Sequence, residues 1–210
     1  MSKKENNENK LTKISLITIG DSQVGKTSLI LRYNADNSSN NCLTTIGIDC
    51  KFKKEKLKNG EEITVKISNT AGQEKFRSLA TNFLKKADGI ILVYDITYKY
   101  SFDSLNKWLN DINEKVKGMP ILLIGNKKDL EENRQVSIEE GIEFVKKISE
   151  EVEFYETSCK TGENVKEAIR NFVEKIYEKY QGKDMVGNNI IIKKGYKNKK
   201  NKNNKKRCNG

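Results

Sequence analysis

Short apolar runs alternate along the chain with longer segments whose hydrophobic residues recur at helical spacing. The apolar runs cover residues 14–19, 63–67, 89–96, 120–125 and 152–157, and runs of this length predict strands buried within a sheet. The helix-like segments cover residues 26–33, 76–86, 101–117, 137–149 and 165–180. Because the two kinds of element alternate, the pattern predicts a mainly parallel sheet with helices on both of its faces.

Two local signals extend this prediction. Residues 48–57 are expected to add a strand, because Asn59-Gly60 is a strong hairpin turn that joins them to the run ending at Ile67. Ser137 and Glu140 have the spacing of a capping box, which predicts the start of a helix. The expected fold class is therefore α/β, with a mostly parallel six-stranded sheet and one antiparallel edge strand.

The segment between the first predicted strand and the first predicted helix is glycine-rich. Gly20 and Gly25 lack a Cβ, so the backbone can turn sharply and direct N–H groups at an anion. The N-terminus of the helix that follows also attracts an anion. Lys26 can then place its ammonium over the β- and γ-phosphates of a nucleotide, and the Thr27 hydroxyl suits Mg²⁺. The other residues assigned to this phosphate loop and its first helical turn are Asp21, Ser22, Gln23, Val24 and Ser28. The alternative is an ordinary glycine-rich turn before a helix.

Polar residues also follow the two predicted strands at 120–125 and 152–157. Asp129 lies after the first of them, and a carboxylate there can accept hydrogen bonds from the ring N–H and the exocyclic amine of guanine, a pair of donors that adenine lacks. Asn126 can hold the loop or the base N7, and the stem of Lys127 can lie against the ring. The loop after the second strand can offer backbone N–H groups to the guanine carbonyl, and its residues are Ser158, Cys159 and Lys160. Ligands of open α/β sheets bind at the carboxyl ends of strands, so these residues predict a guanine site.

Composition excludes several other kinds of site. The 210 residues include no His, which excludes histidine-based acid–base catalysis and His-ligated metal centres. The four cysteines are far apart and lack metal-ligand spacing, as is typical of free thiols in a reducing cytosol. No apolar run is long enough to span a bilayer, and the polar N-terminus has no signal-peptide core.

The net charge of +11 is concentrated at one end of the chain. Residues 181–210 hold ten Lys or Arg and one Asp, whereas residues 1–10 and residues 11–180 each carry a net charge of +1. We therefore divide the chain into a polar N-terminal extension (1–10), a folded domain (11–180) and a basic C-terminal tail (181–210) that is expected to be disordered. A nearly neutral domain argues against specific binding of nucleic acid.

With the segment SNTAGQE at residues 68–74, the sequence resembles the Ras superfamily of small GTPases, and within it the Rab branch. The segments TIGID at 45–49 and ILVYDIT at 91–97 support the resemblance, as do Ser101-Phe102 and Trp108. The resemblance covers residues 13–180. It implies a P-loop small G-domain that binds GTP and GDP with Mg²⁺, hydrolyses GTP slowly and acts as a switch in vesicle or membrane traffic.

The resemblance assigns roles to three further residues. Thr45 would close on Mg²⁺ and the γ-phosphate, Gly72 would offer a backbone N–H to the γ-phosphate, and Gln73 would orient the attacking water. Loss of the γ-phosphate would release the loop that contains Thr45 and the loop that contains Gly72 and Gln73. A GTPase-activating protein would raise the slow intrinsic rate of GTP hydrolysis by roughly 10³–10⁵. The alternative for Gln73 is a polar turn residue.

Two residues depart from the family's pattern near the nucleotide. Asn69 stands where the family has an Asp that helps to hold Mg²⁺, and an amide lacks the charge on which this metal depends, so Asn69 is expected to be a weak ligand acting through water. Ser38 stands where the family has an aromatic that packs against guanine, and the loss of that aromatic contact would cost ~1 kcal/mol or more, roughly a tenfold decrease in affinity. We expect faster nucleotide exchange and less dependence on an exchange factor, unless Tyr33 or a rearranged loop compensates.

A third departure concerns effector binding. Rab proteins bind effectors through three exposed aromatics beside the switches, and the matching residues here are Cys50, Ser68 and Phe83. Only Phe83 of these three residues is aromatic. Because aromatics are typical interface anchors, we expect effectors that differ from those of standard Rab proteins.

The basic tail predicts peripheral attachment to a membrane. Residues 193–207 carry nine positive charges, each contributing up to ~1 kcal/mol near an anionic leaflet. Cys208 lies third from the end, and the resemblance implies that it is prenylated, which together with the basic patch would anchor the chain. The expected location is the cytosolic face of endomembranes or of the plasma membrane, with a GDP-dissociation inhibitor or escort protein as a partner. The alternatives are a solvated tail with an inert thiol, or a tail that touches RNA nonspecifically.

Two classes of function therefore remain open. The first is a slow GTPase switch, and the second is a nucleotide-weak or fast-exchanging G-domain that serves as an interaction module. A P-loop enzyme that uses ATP is less favoured, because Asp129 has no role with adenine.

Overall fold

The structure is a computed structural model in which residues 13–35, 48–70, 84–116, 118–149 and 152–180 are described. Strands β1 to β6 span Lys13–Ile19, Ile48–Lys56, Glu62–Thr70, Gly89–Asp95, Ile121–Asn126 and Glu153–Thr157. Helices α1 to α5 span Lys26–Asn34, Lys99–Asp103, Leu105–Lys115, Ile138–Ile148 and Val165–Tyr180. A 3₁₀ helix spans Lys128–Asn133.

These strands form one sheet with the order β2-β3-β1-β4-β5-β6. Strands β2 and β3 are antiparallel, and the other neighbouring pairs are parallel. The predicted α/β fold with one antiparallel edge strand is therefore confirmed. The register pairs Thr18 with Asn69 and Asp95 with Asn126. The carboxyl ends of these four strands therefore lie side by side at one end of the sheet.

The core lies on both faces of the sheet. Ile14 and Leu16 of β1 pack into a cluster with α1 and α5, whereas Ile17 and Ile19 belong to a second cluster with α2, α3 and α4. This alternation is the period of two expected for a strand. Because both faces are covered, every residue of β4 is buried, which explains its continuous apolar run.

The helix predicted at residues 101–117 differs in the structure. It begins earlier and is divided into α2 and α3 at Ser104. The Tyr100 carbonyl accepts from the Ser104 hydroxyl at 2.9 Å and from the Ser104 N–H at 3.0 Å, and a serine side chain bonded in this way often bends a helix. The predicted capping box is present, with Glu140 N–H donating to the Ser137 hydroxyl at 3.1 Å and Ser137 N–H donating to the Glu140 carboxylate at 2.8 Å.

Most of the helix predicted at 76–86 lies outside the described residues, as do the N-terminal extension and the basic tail. Among the described helices, none combines the length and the hydrophobicity needed to cross a membrane.

Candidate guanine nucleotide site

The phosphate loop runs from β1 to α1, and close contacts require its two glycines. A Cβ on Gly20 would lie 2.1 Å from the carbonyl oxygen of Val93, and a Cβ on Gly25 would lie 2.1 Å from Nδ2 of Asn126. Gly25 also has a φ of 99°, a conformation that residues with a side chain rarely adopt. The loop therefore packs directly against β4 and against the end of β5.

Lys26 begins α1, and its ammonium folds back onto this loop. Nζ donates to the carbonyl oxygen of Gly20 at 2.9 Å and to that of Asp21 at 2.5 Å. Burial lowers the pKa of Lys26 to about 8, against the opposing effect of the Asp21 carboxylate. The hydrogen bonds of this buried ammonium to the described residues go to neutral carbonyls, so an anion would stabilise its charge and the arrangement suits a phosphate group.

Thr27 and Asn69 are the described residues predicted to contribute to a Mg²⁺ site. Nδ2 of Asn69 donates to the Thr27 hydroxyl at 2.8 Å, and the Thr18 hydroxyl lies 3.4 Å from Oδ1 of Asn69. Asn69 is only 3% exposed, so its amide is held in this position. Thr27 can still offer an oxygen to Mg²⁺, but Asn69 directs an N–H group at the Thr27 hydroxyl and carries no charge. The described residues therefore fit an ion that depends mainly on phosphate oxygens.

Asn126, at the end of β5, connects the phosphate loop to the guanine loop. Its Nδ2 donates to the carbonyl oxygen of Val24 at 2.9 Å, and its Oδ1 accepts from the backbone N–H of Cys159 at 3.4 Å and from the Thr157 hydroxyl at 3.3 Å. The side chain is 1% exposed. Of the two roles predicted for Asn126, the structure supports the one in which it holds the loops together.

Asp129 and Lys127 lie at the start of the 3₁₀ helix, beside this connection. Oδ1 of Asp129 accepts from the Ser158 hydroxyl at 2.6 Å, and Nζ of Lys160 lies 4.0 Å from Oδ2. Lys127 has a φ of 70°, and its Nζ pairs with the buried carboxylate of Asp95 at 2.6 Å. The residues predicted to recognise guanine therefore lie together at one end of the sheet.

Two contacts that hold these loops were not predicted from the sequence. Arg32, in the last turn of α1, donates to the carbonyl oxygens of Cys159 and Lys160 at 2.6 and 2.5 Å. Trp108 of α3 donates its indole N–H to Oδ1 of Asp21 at 2.8 Å. The contacts of Arg32 span 127 residues or more of sequence, and that of Trp108 spans 87, so no local motif marks them.

A cavity of about 490 Å³ opens beside the two loops. The phosphate loop lines one side of it and the aromatic residues of α2 and α3 line another. Its lining residues include Asp21, Gln23, Tyr98, Tyr100, Trp108 and Lys127. Lys26, Asp129 and Ser158 are not among its lining residues, so this cavity lies beside the predicted nucleotide site and does not itself mark it.

Several predicted residues lie outside the described part of the chain. They are Ser38, Thr45, Gly72, Gln73, Phe83 and Cys208. Tyr33 is described, and it lies fully buried in the core cluster of α1 and α5, with the ammonium of Lys53 at 4.4 Å from its ring centroid. The alternative in which Tyr33 replaces the aromatic missing at Ser38 is therefore wrong.

The two described effector positions are neighbours across β2 and β3. Cys50 pairs in register with Ser68, and their side chains lie 3.4 Å apart. Ser68 is buried, and Cys50 is partly buried. The structure thus places a small polar pair where the resemblance implies two exposed aromatics.

Comparison with known proteins agrees with this geometry. A model of the Ras family matches residues 15–178. The chain belongs to this family. It is 39% identical to the Ras-related protein Rab-13 of Bos taurus, over 83% of this chain and 85% of that protein. It is 42% identical to the GTP-binding protein ypt2 of Schizosaccharomyces pombe, over 78% of this chain and 80% of that protein. It is 38% identical to the Ras-related protein Rab-10 of Diplobatis ommata, over 84% and 88% respectively. The predicted resemblance to the Rab branch is confirmed, and the chain is a Rab-like small GTPase.

Proposed function

We propose that this Rab-like protein binds GTP and GDP, hydrolyses GTP slowly and acts as a switch in vesicle traffic. The observation that carries the proposal is the buried side chain of Asn126, which bonds to Val24 in the phosphate loop and to Cys159 in the guanine loop. A ligand that occupies both loops must carry phosphates at one end and a guanine-like base at the other. A guanine nucleotide has this composition.

Different residues of the site would bind the two ends of the nucleotide. Lys26 and the N-terminus of α1 would hold the phosphates, and Asp129 would accept hydrogen bonds from the base. Mg²⁺, when bound, would neutralise phosphate charge, with Thr27 and Thr45 as ligands and Asn69 as a weak one through water. Gln73 would orient the attacking water and Gly72 would contact the γ-phosphate.

The partners follow from this cycle. A GTPase-activating protein would complete the charge stabilisation that Gln73 alone supplies poorly, and an exchange factor would assist GDP release. The polar pair Cys50 and Ser68 favours effectors that differ from those of standard Rab proteins. Prenylated Cys208 and the basic tail would attach the chain to an anionic membrane, with a GDP-dissociation inhibitor or escort protein covering the lipid in solution.

One observation favours a second candidate function. Because Asn69 directs an N–H group at Thr27, metal-assisted retention of nucleotide would be weakened, and the chain would act as a fast-exchanging or nucleotide-weak interaction module.

Nucleotide content, release and hydrolysis distinguish the two functions. We expect the purified full chain to carry GDP and to hydrolyse GTP in a single turnover, with hydrolysis lost in Gln73→Leu. GTP hydrolysis together with very rapid GDP release would indicate a switch that exchanges nucleotide without an exchange factor. A chain that neither binds nor hydrolyses GTP would refute the switch and leave the interaction module.

A further inference from the structure

Helix α1 contacts both ends of the nucleotide site. Its first residue is Lys26, in the phosphate loop, and Arg32 in its last turn reaches the guanine loop. The guanidinium donates from Nε to the Cys159 carbonyl at 2.6 Å and from Nη2 to the Lys160 carbonyl at 2.5 Å. Two donors of one planar fork therefore bind two successive carbonyl groups, which fixes both their distance and their direction.

Binding these carbonyls also orients the N–H groups of the loop. Every described peptide bond is trans, and in a trans peptide the carbonyl and the next N–H point in opposite directions. The bond from Arg32 to the Lys160 carbonyl therefore turns the N–H of Thr161 away from Arg32. That N–H donates to the Ser158 hydroxyl oxygen at 3.1 Å.

The Ser158 hydroxyl is the next link. Because its oxygen accepts from Thr161, its proton is directed elsewhere, and it donates to Oδ1 of Asp129 at 2.6 Å. Ser158 is completely buried, so water does not compete for this hydroxyl. A continuous series of hydrogen bonds thus joins Arg32 to Asp129 through the peptide of Lys160 and Thr161.

We propose that Arg32 is a positioning residue for base selection, which acts by orienting Asp129 through this series of hydrogen bonds. The inference rests on the proposed function, because it assumes that Asp129 accepts hydrogen bonds from guanine. Backbone bonds within the loop, Ser158 N–H to Glu163 and Gly162 N–H to Ser158, do not involve Arg32. Removing the guanidinium therefore leaves the loop closed but loosens the orientation of the carboxylate.

The test compares GDP with inosine diphosphate, which lacks the exocyclic amine that Asp129 would bind. In Arg32→Met, which keeps most of the aliphatic stem, we expect GDP release to accelerate about tenfold, as for loss of a charge-assisted hydrogen bond. Inosine diphosphate keeps the ring N–H and lacks only the amine, so its release should accelerate less than GDP release and the preference for GDP falls. Arg32→Lys should retain only part of the preference, because an ammonium does not reproduce the planar fork.

Two further variants separate orientation from general damage. Ser158→Ala breaks the same series, so the double variant Arg32→Met/Ser158→Ala should lose no more preference than the more affected single variant. Arg170→Met is the matched control. Arg170 lies on α5 and pairs with Glu55 of β2 at 3.4 Å, so the loss of its guanidinium should leave the preference for GDP unchanged.

The outcomes distinguish the inference from the proposed function. Equal acceleration of GDP and inosine diphosphate release in Arg32→Met would show a purely structural role and overturn the inference alone. Failure of the unaltered chain to bind GDP would overturn the proposed function and, with it, this inference.

Discussion

The substitution Asn69→Asp tests how far the metal contributes to nucleotide retention. In the structure, the Asn69 amide donates to the Thr27 hydroxyl at 2.8 Å, so an uncharged side chain lies beside the predicted Mg²⁺ ligand Thr27. Aspartate has nearly the same shape and would accept hydrogen bonds from the hydroxyls of Thr27 and Thr18. The change therefore adds one negative charge with little change in packing.

The magnitude follows from charge and burial. Two unit charges 4 Å apart interact by about 4 kcal/mol at an effective dielectric constant of 20, and a divalent ion would increase this value. Asn69 is 3% exposed, so the desolvation of the new carboxylate opposes most of this gain. A net gain of about 1–3 kcal/mol corresponds to GDP release slowed roughly tenfold to hundredfold in the presence of Mg²⁺.

The assay is the release of a fluorescent GDP analogue from the full chain, measured in Mg²⁺ and in EDTA. We expect the two rates of the unaltered chain to differ by a few-fold, and those of Asn69→Asp to differ at least about tenfold more. Asn59→Asp is the matched control, because it makes the same chemical change in the exposed β2–β3 turn. If EDTA accelerates release equally in the unaltered chain and in Asn69→Asp, the amide does not weaken metal-assisted retention and the reasoning is refuted.

Three further substitutions test other parts of the site and fold. Asn126→Ala removes the connection between the two loops and leaves buried groups unpaired, so the free energy of unfolding in urea should fall by about 2–3 kcal/mol and GDP affinity should fall at least about tenfold; unchanged GDP affinity would contradict this role. Gly25→Ala places a Cβ 2.1 Å from Asn126 Nδ2, so GDP binding should be lost while the circular dichroism spectrum keeps its α/β form, and retained binding would show that the loop can move. Ser137→Ala removes the capping box of α4 and should lower the free energy of unfolding by about 1 kcal/mol without changing GDP release; altered release would show that α4 influences the site.

Local patterns in the sequence were sufficient to predict most of the fold. Continuous apolar runs predicted the buried strands, and Asn59-Gly60 predicted the hairpin that makes β2 antiparallel. The division between α2 and α3 was not predicted; it lies at Ser104, whose hydroxyl donates to the Tyr100 carbonyl. A hydroxyl group offers the same donor whether it bonds to solvent or to the backbone, and sequence alone does not distinguish these cases.

For the site, the sequence by itself determined which chemical groups are present and which strand each one follows. Lys26 and Asp129 were identified in this way, because glycine spacing and strand ends are local properties, whereas Asn69 was identified through the resemblance to the family's pattern. Only the tertiary structure decided how these groups are held. It placed Tyr33 in the core, turned the Asn69 amide towards Thr27 and brought Arg32 to a loop more than a hundred residues away. Such contacts depend on which helix faces which loop after folding, and no periodicity along the chain records that relation.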